Sequence, residues 1–231
     1  MTLSPWITLP LLVLLTQSSV IADSKTHTVA FGKLTTVQWI PGTASAGDKS
    51  LTLKIRPLLI DARVKEFVLG TPHDVTDRLF VVHRAFRVND SLPQESAAAP
   101  HWQWQRGGWL LVDRSTGHVT PINLPDFDPL YSVASWYRDY AAYCGVSDDG
   151  KKIYAMVAQL NRRKPVLKKP LSKSVLADDA PPDSACPAPA WQRAPTQVSF
   201  EPSGTEKQTF AIRGRVVDVV NDKEEEEEAS K

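Results

Sequence analysis

Short runs of β-branched, aliphatic and aromatic residues, separated by glycine, proline, aspartate or serine, make up most of this chain. Such runs are typical of β-strands, because these side chains suit a pleated, half-buried surface. Helical periodicity is scarce; residues 75–87 could be drawn on a helix, but their block of consecutive apolar residues favours a buried strand. The sequence therefore predicts an all-β protein with antiparallel sheets. In the first part of the chain the predicted strands cover residues 26–31, 34–40, 51–60, 66–69 and 78–88.

Two hairpins are the clearest local structures in the sequence. At residues 109–122 a strand ends at Asp113, turns through Ser-Thr-Gly and is followed by a second strand. The Asp113 carboxylate can accept hydrogen bonds from the free amides of the turn, and Gly117 can supply the positive φ that the turn needs. At residues 140–157 the dipeptide Asp149-Gly150 is a strong signal for a two-residue turn. Both hairpins predict one antiparallel architecture.

Two strings within these hairpins resemble the repeats of a known family. V-S-D-D-G-K-K-I-Y at residues 146–154 resembles the S-x-D-G-K-x-(I/L)-(Y/A) hairpin of TolB-like β-propeller blades, and L-L-V-D-R-S-T-G at residues 110–117 resembles their L-x-V-x-D-x-x-T-G hairpin. The resemblance covers about a third of the chain and implies radially packed four-stranded sheets. A propeller of four or more blades needs repeats at about 40–50 residues, and each string occurs once. We therefore expect blade-like sheets that form a stack or a sandwich.

The N-terminal residues 1–22 have the layout of a secretory signal peptide. An apolar run of about ten residues is followed by a polar stretch and by Val20 and Ala22, at the −3 and −1 positions of a cleavage site. A membrane-spanning helix needs about 20 apolar residues, and this run is shorter and is broken by Pro10. The sequence thus predicts an exported protein, secreted or periplasmic, without a membrane span.

The chain has two cysteines, Cys144 and Cys186. In an oxidising compartment an isolated pair most often forms one disulfide. The bridge would close a loop of about 43 residues, which corresponds to roughly 4 kcal/mol of stabilisation in the chain-entropy model. A metal site is the weaker alternative, because the two cysteines lack the short spacing of zinc-binding motifs. We therefore predict a disulfide and no metal.

Composition divides the rest of the chain into segments. Residues 222–231 contain six acidic residues and two lysines, and such a tail cannot bury enough apolar surface to offset its ordering entropy, so we expect disorder. Residues 172–195, rich in proline, alanine and aspartate, form a predicted linker, and residues 91–100 form a predicted mobile loop. The predicted β domain covers residues 23–171. Residues 196–221 contain predicted strands at 197–200, 208–213 and 215–220 that complete its main sheet.

Six basic residues lie close together between Arg162 and Lys173, with no acidic residue among them. A nucleic-acid site would combine such a stripe with aromatic side chains, and this stretch has none. We therefore expect a solvent-exposed strand and linker here, and no nucleic-acid partner.

The sequence contains no catalytic, metal or cofactor motif of high specificity. None of the five histidines stands in a ligand spacing such as H-E-x-x-H, and no serine occupies G-x-S-x-G. His73 and Asp74 could form an oriented general base, and Asp126 and Asp128 could share a hard cation, although Asp-Phe-Asp-Pro also fits a turn. A secreted hydrolase that uses these four residues is therefore the alternative to a non-catalytic protein. We predict no cofactor.

Trp102 and Trp104 are the candidate binding residues. In an extended strand they share one face, with Gln103 and Gln105 on the other. Such aromatic pairs stack on sugars or anchor protein interfaces, whereas the alternative is that both rings cover the core. We therefore expect a non-catalytic binding or accessory protein with a protein or carbohydrate partner. Asn89 begins a glycosylation acceptor sequence, Asn-Asp-Ser, which is meaningful only in a eukaryotic source.

Deletion of residues 222–231 should leave the thermal midpoint of unfolding unchanged, because a self-repelling acidic segment contributes no buried apolar surface. Thermal unfolding of the full-length and truncated chains, followed by circular dichroism, measures this. A loss of several degrees would contradict the prediction and would mean that the tail docks on the folded part, with residues 162–173 as its expected contact.

Overall fold

The computed structural model describes residues 27–39, 51–89, 100, 102–172, 186–203, 206–213 and 216–219. All regular secondary structure in these residues is β-strand, which confirms the all-β prediction. With no helix present, these residues also offer no helical candidate for a membrane span. The strands are β1 (Val29–Phe31), β2 (Thr35–Trp39), β3 (Leu51–Ile60), β4 (Arg63–Asp74), β5 (Leu79–Asn89), β6 (Trp102–Asp113), β7 (Val119–Ile122), β8 (Ser135–Tyr137), β9 (Tyr140–Val146), β10 (Ile153–Gln159), β11 (Leu167–Ser172), β12 (Ala190–Gln192), β13 (Gln197–Phe200), β14 (Gln208–Arg213) and β15 (Val216–Val219).

The first sheet, sheet A, contains strands β1 to β7. Strands β3, β4, β5 and β6 are antiparallel neighbours in chain order. Strand β2 pairs antiparallel with β3 and meets β6 in one parallel pair, Trp39 with Trp104. Strand β1 pairs with the second half of β3, and β7 pairs with the second half of β6. The pairings of β2 to β6 therefore form a closed ring, and sheet A curls round on itself.

The other two sheets are four-stranded antiparallel meanders. Sheet B has the strand order β11-β10-β9-β8, and sheet C has the order β12-β13-β14-β15. The predicted C-terminal strands therefore pair with one another instead of completing the main sheet, and they are joined by β12. Strand β12 lies within the segment 172–195, which the sequence predicts as a linker. The prediction missed this strand because three residues show too little alternation to be recognised.

Sheet B lies between sheets A and C, and its central strands β9 and β10 are buried on both faces. Along β9, Ala141 and Tyr143 pack against sheet A, whereas Ala142 and Cys144 pack against sheet C. Because successive side chains of a strand point to opposite faces, burial on both sides explains the apolar sequence of β9 and of residues 153–158 in β10. Full burial of one large apolar side chain stabilises the fold by about 1.5–3 kcal/mol. The neighbouring sheets contribute Val81, Trp109 and Leu111 from sheet A and Val198, Phe200, Phe210 and Ile212 from sheet C.

The end of β9 is held tightly against the segment that joins β7 to β8. The Tyr143 hydroxyl donates a hydrogen bond to the Pro125 carbonyl at 2.6 Å, and burial raises the pKa of this tyrosine, so it keeps its proton. A Cβ added at Gly145 would lie 2.6 Å from Met156 Cγ and 3.3 Å from the Asp126 carbonyl oxygen. Glycine at this position therefore permits the close approach of strand and segment.

The β6–β7 turn has the hydrogen bonds that the sequence predicts. Asp113 Oδ1 accepts from the Ser115 N–H at 2.9 Å and from the Thr116 N–H at 3.4 Å, and Gly117 has φ of +65°. The Arg78 guanidinium also donates to both carboxylate oxygens of Asp113. The hydrogen bond from Arg78, together with those from the turn, holds the pKa of Asp113 well below its usual range.

Other elements agree with the sequence in type and differ in extent. Strands β3, β13 and β14 have the predicted bounds, whereas β4 extends well beyond the predicted 66–69. Its pairing with β5 shifts after Leu69, and this irregularity conceals the continuation of the strand in the sequence. The β9–β10 hairpin is present, with φ of +68° at Gly150, but its loop is longer than two residues, since the Ser147 N–H donates to the Lys152 carbonyl. The predicted signal peptide at 1–22, the acidic tail at 222–231 and residues 173–185 and 91–99 of the predicted linkers lie outside the described residues.

Cys144 of β9 and Cys186, shortly before β12, form the predicted disulfide. Their Cα atoms are 6.2 Å apart, within the usual range for such a bond. Both residues belong to the core between sheets B and C. The disulfide therefore fastens the C-terminal sheet to the central one.

Mass spectrometry of unreduced protein should find the proteolytic peptides that carry Cys144 and Cys186 cross-linked. The bridge joins residues 42 apart, so its reduction should lower the free energy of unfolding by up to about 4 kcal/mol. Urea unfolding with and without reductant measures this, and the double variant Cys144→Ser/Cys186→Ser, which reductant cannot change, is the control. Two free thiols in the native protein would refute the prediction.

Candidate functional site

Trp102 and Trp104 lie at the start of β6, where this strand pairs with the end of β5. The register places Asn89 opposite Trp102 and Arg87 opposite Trp104. Since alternate residues and cross-strand partners share a face, both rings and Arg87 project from one side of the hairpin. The guanidinium carbon of Arg87 lies 5.6 Å from the Trp102 ring centre and 5.5 Å from the Trp104 ring centre. We call Trp102, Arg87 and Trp104 the tryptophan–arginine row.

The two tryptophans of the row have different surroundings. Trp104 is half-buried, meets Phe67 edge to face with 5.0 Å between ring centres, and packs against a buried cluster that includes Leu53 and Ile55. Trp102 is 55% exposed, the highest value among the large apolar side chains of the described residues. Trp104 therefore contributes to packing, whereas Trp102 presents its ring to solvent.

Trp39 of β2 anchors the strand that carries the row. Its side chain is 1% exposed, the Arg106 guanidinium carbon lies 4.4 Å from its ring centre, and its Nε1 donates to Gln105 Oε1 at 3.4 Å. Gln105 is thus used inside the sheet and is not a free amide beside the tryptophans. Because Trp39 also forms the parallel pair with Trp104, the closure of sheet A fixes β6 at the row.

The row combines a flat apolar surface with a cation. A guanidinium close to an exposed indole ring is favourable by about 0.5–1 kcal/mol, and its planar N–H groups can still donate to hydroxyl, carbonyl or carboxylate oxygens. Trp and Arg are also the residue types most enriched at the energetic centres of protein interfaces. Sequence spacing did not reveal Arg87, because only the β5–β6 register brings it beside the tryptophans.

His73 and Asp74, two residues of the hydrolase alternative, lie at the end of β4. His73 Nε2 donates to the Arg138 carbonyl at 2.8 Å, so this nitrogen carries the proton, and the imidazole stacks on Trp136 with 6.2 Å between ring centres. Asp74 Oδ1 accepts a hydrogen bond from Arg114 Nη2 at 2.6 Å. The imidazole and the neighbouring carboxylate therefore have separate partners and do not form an acid–base pair with each other.

Asp126 and Asp128 lie in the segment between β7 and β8. Asp126 Oδ2 accepts from Lys168 Nζ at 2.8 Å, a bond that raises the pKa of Lys168. Asp128 Oδ1 accepts from the Leu130 N–H at 2.8 Å, as in the turn that the sequence also allowed. The cavity lined by His73 includes none of the three aspartates, and the described residues contain no group of three or more potential metal-ligating side chains. The hydrolase alternative stays a prediction, without a shared site for its four residues in the described structure.

The remaining residues singled out in the sequence lie at the surface. Arg162, Arg163 and Lys164 are exposed in the connection between β10 and β11, and Lys168 pairs with Asp126. Asn89 is exposed at the end of β5, and the rest of its acceptor sequence lies outside the described residues. The basic residues belong to sheet B and its β10–β11 connection, whereas Asn89 lies opposite Trp102 in the β5–β6 register.

The chain matches no protein-family model, and no curated protein or solved structure is significantly similar to it. The roles of its residues therefore rest on its own geometry. Within the described residues, the tryptophan–arginine row is where candidate side chains from the sequence come together at the surface, with an additional residue, Arg87, supplied by the neighbouring strand.

Proposed function

We propose that this protein is an exported, non-catalytic binding or accessory protein that recognises a protein or carbohydrate partner through the tryptophan–arginine row. The observation that carries this proposal is the 55% exposure of Trp102 beside the guanidinium of Arg87. An exposed indole with a cation at its side and a packed second indole next to it has the composition of an interface anchor. The row also belongs to two paired strands, which hold it in place without a partner.

Export and the blade-like architecture are parts of the same proposal. The signal-like residues 1–22 support export, and the disulfide between Cys144 and Cys186 is compatible with an oxidising compartment. Sheets B and C are four-stranded antiparallel meanders with a shared core, as neighbouring propeller blades are. The string that resembles a TolB-like hairpin forms the turn between β9 and β10 of sheet B.

Two kinds of partner suit the row. The C–H face of a sugar ring can stack on Trp102 while its hydroxyl oxygens accept hydrogen bonds from Arg87. A protein partner would cover the Trp102 ring with apolar side chains and offer a carbonyl or carboxylate oxygen to Arg87. Both modes need the same two residues, so one set of variants serves for either partner.

Trp102→Ala should change the free energy of unfolding by less than about 1 kcal/mol, because an exposed side chain loses few contacts. Trp104→Ala should cost about 2–3 kcal/mol, somewhat less than the truncation of a fully buried tryptophan. Chemical denaturation of both single variants and of the double variant measures these effects. A loss of 3 kcal/mol or more in Trp102→Ala, at the level of roughly a core residue, would show that this ring is packed and would remove the basis of the proposal.

Capture of a partner should depend on Trp102 and Arg87. The immobilised protein is exposed to the extracytoplasmic fraction of its source and, separately, to a glycan array. Trp102→Ala and Arg87→Glu should each lower the retained signal at least about tenfold, as expected for residues at an interface centre. Val64→Ala is the matched control, because Val64 is also an exposed apolar residue of sheet A, at 54% exposure. Partners that Trp102→Ala retains as well as the parent protein does would contradict the proposal.

A further inference from the structure

A cavity of about 570 Å³ opens between sheets A and B, away from the tryptophan–arginine row. Its walls come from β6 and β7 of sheet A and from β8, β10 and the β10–β11 connection of sheet B. Cavities of roughly 300–1,000 Å³ are the usual size of small-molecule sites, and the boundary between packed elements is a usual place for them. Its position and size therefore fit a small ligand.

The inner wall of the cavity is apolar and continues the core between the two sheets. Leu124 and Ala158 are buried members of that core, and Leu111, Ile122 and Leu160 are half-buried at its edge. These three side chains keep part of their apolar surface exposed at a place where the two sheets do not meet. An apolar group in the cavity would cover that surface and extend the core.

The mouth of the cavity is polar and basic. Arg162 Nη1 donates to Gln159 Oε1 at 3.4 Å, and Gln159 Nε2 donates to Asp139 Oδ2 at 2.8 Å, so Arg162 is attached to a short hydrogen-bonded chain. Arg163 lines the mouth without a hydrogen bond or ion pair to any of the described residues. None of the described residues that line the cavity is an aspartate or a glutamate, and Asp139, the acid in this chain of bonds, already accepts a hydrogen bond from Gln159.

We propose that this cavity binds a small amphipathic carboxylate, with its apolar body against Leu111, Ile122 and Leu160 and its carboxylate at Arg163. An apolar wall requires an apolar body. A guanidinium that has no partner among the described residues suits a carboxylate, to which it can donate two parallel hydrogen bonds. This cavity shares no residue with the tryptophan–arginine row, so the two proposals are independent.

Octanoate is the probe, and its binding to the full chain with the disulfide intact is measured by isothermal titration calorimetry at low salt. Arg163→Glu should weaken binding at least about tenfold, because it replaces a charge-assisted hydrogen bond by repulsion. Thr120→Trp should abolish binding, because Thr120 is exposed at the mouth and an indole there would block it. The neutral analogue 1-octanol should bind at least about tenfold more weakly than octanoate, since it lacks the charge that Arg163 recognises.

Two matched variants control for charge and for bulk. Arg193→Glu changes an exposed arginine at the β12–β13 turn, and Thr36→Trp places an indole at an exposed position of β2. Neither residue lines the cavity, and both variants should bind octanoate like the parent protein. Thermal midpoints of all variants establish that they are folded. The proposal is overturned if octanoate does not bind at millimolar concentration, if either Arg163→Glu or Thr120→Trp leaves its binding unchanged, or if octanol binds equally well.

Discussion

The burial of β9 and β10, the central strands of sheet B, on both faces is the constraint on which the rest of this structure depends. A sheet covered on two sides needs two partner sheets, and the chain supplies them from both directions in sequence, sheet A before it and sheet C after it. The large side chains Phe200 and Phe210 of sheet C complete one interface, and Trp109 of sheet A completes the other. A sheet must bury its apolar face against another element, so the layers stabilise one another.

The tryptophan–arginine row lies next to the point where sheet A closes. The only parallel pairing among the described strands joins Trp39 to Trp104, so β6 is fixed on both edges at that point. Trp102 lies one alternation further toward the start of β6, outside the single registered pair with β2, and its ring is left at the surface. The change from a packed to an exposed indole within three residues thus coincides with the end of the registered pairing between β2 and β6.

Features that depend on neighbouring residues were predictable, and features that depend on distant pairing were not. The Asp113 turn and the strands at 51–60, 197–200 and 208–213 follow from local alternation and turn chemistry, and the sequence predicts them correctly. The closure of sheet A, the separate C-terminal sheet and the position of Arg87 beside Trp104 depend on contacts between distant segments. Likewise, spacing placed Trp102 and Trp104 on one face, but only packing distinguishes their exposure.

The close packing of β9 against its neighbours determines which sequence features fix its register, that is, its alignment with β8 and β10. A strand with one apolar face is held in register by polarity, because a slip of one residue carries its apolar set into water. In β9 both faces are apolar, so the same slip would still leave apolar side chains buried. It would instead carry Tyr143 and Cys144 each to the opposite face, lose the Tyr143 hydrogen bond and the disulfide, and bring a side chain to the space that Gly145 occupies. The register of the central sheet is therefore encoded in side-chain volume and covalent linkage, and hydropathy alone does not specify it.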